Sequence, residues 1–514
     1  MLEFLSARPR TGASIGGISS ARTFSACRRQ SGFCNTRGHW ESRQITLSQE
    51  EKGHMGTTNA IASYIAESRY ADLPLEVVEL SKRLILDSIG VALAGAEQPA
   101  GQIVCRLVEG LGGNREAAVL GTSVRTSAVN AALANGVLAH ALDFDDTWYT
   151  PGAHPSCTVV PVVVALCEKL RLSGKDAILA YVLGVEVHGA VGASAVERTP
   201  ADTGWHGPGT FGVLGAVSAA AHILGLDVEQ TEMALGIGIA HAAGPLCYSG
   251  TMTKPLIAGN GARNGIVSAM LAKGGLTAPD NIIERGHGFG DTFIGQGNDV
   301  SEAIARDLGV SYRMLSPGVH LKRYPACYAS QWVLQETLEL VEENSIHCEE
   351  VKEIELRAPT EGVVLNVPEP TTGLMAKFSW QFSIAAPIVD GKVDIDTYTD
   401  EKVADPRIKE VMAKVKILPN SDRPRNNVFP ITVRLKDGRV YSREIEYPKG
   451  HVRDPFTDEE LIGKYRACAE RILPPHQVDT SIDMILNLDM VDDVTELVNA
   501  LTVTSENCNT GEAG

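Results

Sequence analysis

Between Asn59 and about Gly309 the chain alternates apolar stretches of three- and four-residue spacing with short breaks rich in Gly, Pro and Asp. That rhythm marks amphipathic helices with wide buried faces, closed by residues that cannot continue them. Leu73–Ala94 is the clearest case. Further helices are expected over Ser127–Leu142, Val159–Leu172, Ala177–Glu197, Gly212–Leu224 and Gln230–Ala243. Near Ser316 the period changes: Val351–Arg357 and Ile431–Leu435 alternate as half-buried strands, and Asp437-Gly438 is a hairpin turn leading into Arg439–Tyr447. Helical patterns at Ala329–Glu343, Phe378–Asp390 and Asp405–Val415 lie between and around them, and others return at Asp458–Ile472 and Val478–Asn487.

This order of periods predicts a mainly α fold with an α+β part. A large all-helical domain is formed by both chain ends, residues 56–315 and 453–505, and a smaller α+β lid domain, 316–452, is inserted between them. Residues 506–514 are expected to be a disordered tail. Residues 1–55 differ again, with Arg8, Arg10, Arg22, Arg28, Arg29, Arg37 and Arg43 against only Glu3 and Glu41 before Glu50. An Arg- and Ser-rich, acid-poor leader fits a mitochondrial transit peptide. A disordered tail on a cytoplasmic protein, or a start at Met55, fits it as well.

Composition narrows the function. Aromatic residues make up only 5% of the 514, against 50 glycines, so helices are expected to pack closely through small side chains. A net charge of −17 argues against a nucleic-acid or anionic-membrane partner. It leaves room for a small anionic substrate, which needs only a few local cations. The ten cysteines form no C-x-x-C pair, and a reduced protein without a zinc site is expected. The best candidate for a membrane span, Val159–Leu166, is short of the roughly 18–20 residues required and contains Pro161.

Chemistry concentrates at HALDFDDTWYTPGAHPS, residues 140–156, where Asp143, Asp145 and Asp146 follow an apolar helix. Clustered carboxylates at a helix end can hold Mg²⁺, but that reading needs an aromatic-lined pocket and a second metal motif, and neither is visible. Capping of a helix or solvation of a turn is the plainer reading. Other polar islands change the balance: His154 in GAHPS, His206 in TGWHGPG, Lys254 in GTMTKPL, and Lys322-Arg323 in HLKRYPAC. Two imidazoles and two ammoniums beside a carboxylate suit a polycarboxylate undergoing proton transfer.

Taken together, DFDDTW with a following His-Pro-Ser, then GWHGP, TKPL and KRYPA, resemble the MmgE/PrpD family over roughly residues 57 to 505. That family includes 2-methylcitrate dehydratases and cis-aconitate decarboxylases, and the likeness is greatest to the animal-type decarboxylases. The resemblance implies a homodimer, no cofactor and no metal, with Asp143, Thr147, His154, His206, Lys254 and Lys322 in the pocket. Lys254 and Lys322 would hold substrate carboxylates, and His154 or His206 would supply a proton. Asp143 would fix a histidine tautomer or orient Thr147, leaving Asp145 and Asp146 to cap the helix.

Two positions depart from that pattern. Cys327 stands where the animal-type decarboxylases carry a histidine, and Phe382 stands where they carry a tyrosine; both are expected to line a more apolar side of the pocket. The expected activity is decarboxylation of cis-aconitate or an alkyl-substituted analogue to an itaconate-type product. A 2-methylcitrate or alkylcitrate dehydratase and an inactive scaffold are the alternatives. His287, in the glycine-rich ERGHGFGD, lacks the Lys-Ser or Lys-Thr of a phosphate loop and reads as a lid hinge or dimer contact. Cys157 and Cys327 read as packing residues rather than nucleophiles.

Overall fold

The computed structural model describes residues 56–148, 153–194, 204–295, 304, 307–359, 365, 367–419 and 428–503. The expectations for residues 1–55 and 506–514 lie outside them. One hydrophobic core gathers side chains from Ile61 to Leu321 and again from Phe456 to Leu501. A second runs from Tyr324 to Leu435. The first is built from helices alone and a two-residue hairpin, β1 (Ala117–Ala118) against β2 (Arg125–Thr126). The second carries the larger sheet.

Helices at Leu75–Gly95, Ala128–His140, Ser156–Leu170, Gly174–Ala193, Gly212–Ile223 and Val228–Ile239 follow the apolar periodicity to within a few residues. Gly174–Ala193 overturns one sequence expectation. It is long and apolar enough to cross a membrane, but nearly all of it is buried inside the protein. Its apolar residues face other helices on nearly all sides, and such a helix is apolar all round.

The helix Thr253–Lys273 is absent from the sequence reading because glycine and polar residues interrupt its pattern. Those glycines are what place it. A Cβ on Gly136 would come within 2.7 Å of the Gly259 Cα, and one on Gly259 within 2.4 Å of the Leu133 carbonyl oxygen. Ala128–His140 and Thr253–Lys273 therefore touch backbone to backbone. The approach brings their functional ends together.

In the second core, β3 (Val351–Ala358), β4 (Val415–Pro419), β5 (Ile431–Leu435) and β6 (Val440–Arg443) form a sheet in the order β4-β3-β5-β6. β4 runs parallel to β3, and the other pairs are antiparallel. A bulge between Val351 and Glu353 keeps Val351 buried beside the alternating Ile354, Leu356 and Ala358. Two expectations are corrected here. The helix drawn over Asp405–Val415 stops at Met412 and the chain enters β4, and the last strand is shorter than Arg439–Tyr447. Helices Ser330–Asn344 and Trp380–Asp390 contribute to this core. A small third cluster of Val91, Ala94, Leu142, Phe144, Ile395 and Cys468 ties both chain ends to the segment that carries the second core.

The glycine contact yields a direct test. Gly259→Val should lower the unfolding free energy by about 1–3 kcal/mol, the usual effect of overpacking. Gly110→Ala, where nothing lies within 4 Å of the added carbon, should be neutral or stabilising by up to about 1 kcal/mol. Urea unfolding of both variants reads the difference.

Candidate active site

Ala128–His140 is a buried helix started by the Ser127 hydroxyl, which accepts from the Asn130 amide. After His140 the chain reverses through Asp143, whose φ of 51° lies in the left-handed region. Aspartate tolerates that region because its short polar side chain bonds locally. The reversal presents two acceptors to one cation. The Lys322 ammonium donates to the Asp143 carboxylate at 2.6 Å and to its carbonyl at 2.9 Å. Lys254 Nζ lies 3.4 Å from the same carboxylate oxygen.

Lys322 reaches Asp143 because an antiparallel bridge ties Thr147 to His320, with N–H to O distances of 2.9 and 2.8 Å. The following turn is held by the buried Gln331 carboxamide. Its oxygen accepts from the Arg323 and Tyr324 amides at 3.0 Å, and its nitrogen donates to Tyr324 O at 2.9 Å. Behind the aspartate loop, Lys464 donates to Phe144 O at 2.9 Å, pairs with the buried Asp87 at 2.6 Å and covers the Phe144 ring. The helix Asp458–Ala469 thus supports the site from behind that loop.

Three imidazoles converge beside this ion pair. Ring centroids lie 4.7 Å apart for His140 and His154, 5.5 Å for His140 and His206, and 6.5 Å for His154 and His206. Asp145 organises two of them, at 2.8 Å from His140 Nδ1 and 3.3 Å from His154 Nδ1. His140 Nε2 is 2.7 Å from Lys254 Nζ. The ammonium can only donate, so Nε2 must accept, and His140 carries its proton on Nδ1 toward Asp145. His154 Nδ1 also contacts the Asp146 carbonyl at 2.9 Å. Both nitrogens of the buried His206 are without a hydrogen-bond partner among the described residues.

Electrostatics follow the geometry. Burial disfavours the ionised form of Asp143, but Lys254 and Lys322 hold it well below the usual carboxylate range. Asp145 is likewise held low against its burial by His140 and His154. Burial, reinforced by the neighbouring Lys254, pushes His206 well below the ordinary imidazole value, and His140 down to about 4 despite Asp145. Both rings are neutral near pH 7. Asp146 goes the other way, pushed up to about 8 by burial although Ser156 bonds to it.

One nitrogen or oxygen from each of His140, Asp143, Asp145 and His154 could surround a cation, since all lie within 4.8 Å of one another. The donor set is a poor match for a metal ion. Lys322 and Lys254 already neutralise Asp143, and both His140 nitrogens are engaged, so a divalent ion would meet two ammonium groups at contact range.

Residues 59–301 match the MmgE/PrpD N-terminal domain, and residues 324–490 match the MmgE/PrpD C-terminal domain. The chain belongs to the MmgE/PrpD family. Among its relatives, the cis-aconitate decarboxylase of Homo sapiens is 32% identical over 457 residues, covering 86% of this chain and 94% of the relative. That of Aspergillus terreus is 25% identical over 480 residues, covering 88% and 97%. The mitochondrial 2-methylcitrate dehydratase of Yarrowia lipolytica is more distant, 25% identical over 407 residues and covering 73% and 76%.

In this MmgE/PrpD protein the structure brings Asp143, His154, His206, Lys254 and Lys322 together, and it redistributes the expected roles. Asp143 neither orients Thr147 nor fixes a histidine, because two ammonium groups occupy its carboxylate; Asp145 holds the imidazoles instead. Asp146 caps the helix Ser156–Leu170, accepting from the Ser156 amide and hydroxyl at 3.2 and 2.6 Å. The Thr147 hydroxyl is turned to the Ala153 carbonyl at 3.0 Å. Phe382 is enclosed in the second core against Tyr398, and burial pushes the Cys327 thiol up to about 11. Burial keeps Cys157 protonated too. His287 is exposed in a left-handed turn closed by Asp291.

Sequence reasoning missed His140, Asp145 as an organiser, Gln331, and a further buried lysine, Lys377. His140 had a usable signal: it stands three residues before Asp143 on the last turn of a helix that points into the cluster.

His206 carries a pH signature. An imidazole neutral in the folded protein but protonated below about pH 6.5 when unfolded stabilises fully above that pH and loses its contribution as pH falls. The wild type should therefore lose stability relative to His206→Gln between pH 7 and 5, by up to about 1.4 kcal/mol per unit. Parallel denaturant unfolding of the two proteins across that range measures it.

Proposed function

We propose that the protein is a carbon–carbon lyase that decarboxylates cis-aconitate, or an alkyl-substituted relative of it, to an itaconate-type product without a cofactor. The observation that carries this reading is the buried Asp143–Lys322–Lys254 cluster beside three imidazoles, one of them with both nitrogens unpartnered among the described residues. The relatives named as cis-aconitate decarboxylases, which span nearly the whole chain, support it.

The chemistry proceeds as follows. Lys254 and Lys322 take substrate carboxylates by charge-assisted hydrogen bonds, sharing with the substrate the charge they otherwise direct to Asp143. The carboxylate on the saturated carbon leaves as CO₂. Its electron pair spreads across the adjacent double bond as an allylic carbanion, and protonation at the far carbon leaves a terminal methylene. His154 supplies that proton, its Nδ1 anchored by the Asp146 carbonyl and Asp145. Neutral His206 hydrogen-bonds the substrate. His140, held between Asp145 and Lys254, fixes the lysine.

The homodimer belongs to the same proposal. An exposed apolar stripe of Ile103, Leu107 and Leu111 along one helix is the kind of surface a second copy covers. A mitochondrial location is supported by the Arg-rich leader and by the name of the Yarrowia lipolytica relative.

A proton NMR time course in D₂O with cis-aconitate tests the activity. Itaconate carrying one deuterium on its saturated carbon is the expected product. No turnover of cis-aconitate, with loss of water from 2-methylcitrate in parallel, would replace the decarboxylase with a dehydratase.

A further inference from the structure

Lys377 is 3% exposed, and no carboxylate lies within ion-pair distance of it among the described residues. Its ammonium donates to the Pro325 carbonyl at 2.6 Å and lies 4.5 Å from the centre of the Tyr398 ring. One carbonyl and one ring face leave at least one of its three N–H groups without an acceptor among the described residues. Buried ammoniums are ordinarily paired.

The location is as informative as the missing partner. Pro325 belongs to the turn that delivers Lys322, and the Lys377 carbonyl accepts from the Cys327 amide of that same turn at 3.2 Å. The next residue, Phe378, lies with its ring centre 5.7 Å from Lys254 Nζ. Three ammoniums thus border one region in which Asp143 is placed between two of them and Asp145 is taken up by the imidazoles. Among the described residues Lys377 is left without a counter-ion.

We propose that Lys377 is the third cation of the substrate site and receives a carboxylate of the bound tricarboxylate, which supplies the counter-charge that the protein does not. The inference rests on the polycarboxylate reading above. The charged and titratable groups around Lys377 are Asp143 from the aspartate loop, Lys322 and Cys327 from the turn, Lys254 from Thr253–Lys273, and Tyr398 beneath it. Burial lowers its pKa to about 7, partly countered by Asp143 and deepened by Lys322 and Lys254. The residue therefore changes charge near neutral pH, and a bound carboxylate favours its charged form.

Thermal-shift titrations with citrate and tricarballylate, alongside cis-aconitate kinetics, test this on wild type, Lys377→Met and Lys377→Arg. Wild type should be stabilised by both tricarboxylates. Lys377→Met should bind them at least tenfold more weakly, raise KM more than it lowers kcat, and melt no lower than wild type without ligand, since a lone buried charge has gone. Lys377→Arg should recover much of the affinity. In the wild type, KM should climb as pH rises past about 7, and in the arginine variant it should not; the wild-type profile needs no variant to fold.

A purely structural pin on Pro325 would instead lower the ligand-free melting temperature of Lys377→Met and leave tricarboxylate affinity unchanged. That result overturns the inference alone. Absence of any tricarboxylate shift in the wild type overturns both it and the reading on which it rests.

Discussion

Two buried ammonium groups, Lys322 and Lys254, share the single carboxylate of Asp143, and the arrangement around them depends on that sharing. Removing one partner of a buried ion pair costs about 3–5 kcal/mol, because the charge left behind has no solvent to turn to. Here one carboxylate serves two cations on different segments. It therefore fastens the end of Ala128–His140, the start of Thr253–Lys273 and the turn after His320 to one another. The same sharing makes the site receptive: an incoming carboxylate adds negative charge beside two ammoniums that have one carboxylate between them.

Small residues make this closeness possible. The Gly136–Gly259 contact lets two helices approach without side chains between them, and their ends then hold His140 and Lys254 at 2.7 Å. Gly189 plays a comparable part behind the aspartate loop, where an added carbon would meet the buried Trp148 ring at 2.5 Å. A chain poor in aromatic residues and rich in glycine thus builds its site by backbone proximity. The ion pairs and imidazoles occupy what remains between the helices.

Much of this was legible along the chain. The helical periodicity of Leu73–Ala94 and the alternation of Ile431–Leu435 report burial directly, so both elements appear where the pattern puts them. The polar islands around His154, His206, Lys254 and Lys322 stood out because charge is conspicuous in apolar, glycine-framed surroundings. What escaped was relational. Asp143, Asp145 and Asp146 are alike in sequence; only the left-handed turn at Asp143 decides that the first meets lysines, the second meets histidines and the third caps a helix. Lys377 gave no signal because nothing local marks a lysine whose neighbours come from other segments. β4 went unread beyond Val415, where the expected helix ended, since Val415–Pro419, half-buried, has no clean alternation.

The most direct measurement of the central claim is a crystal structure of the protein with tricarballylate, which has the three carboxylates but no double bond to react. The account predicts the ligand beside Asp143, with carboxylate oxygens within hydrogen-bond distance of Lys254 and Lys322 and a donor from His206. A ligand bound elsewhere, with both lysines still directed only at Asp143 and the His206 nitrogens still unpartnered, would contradict it.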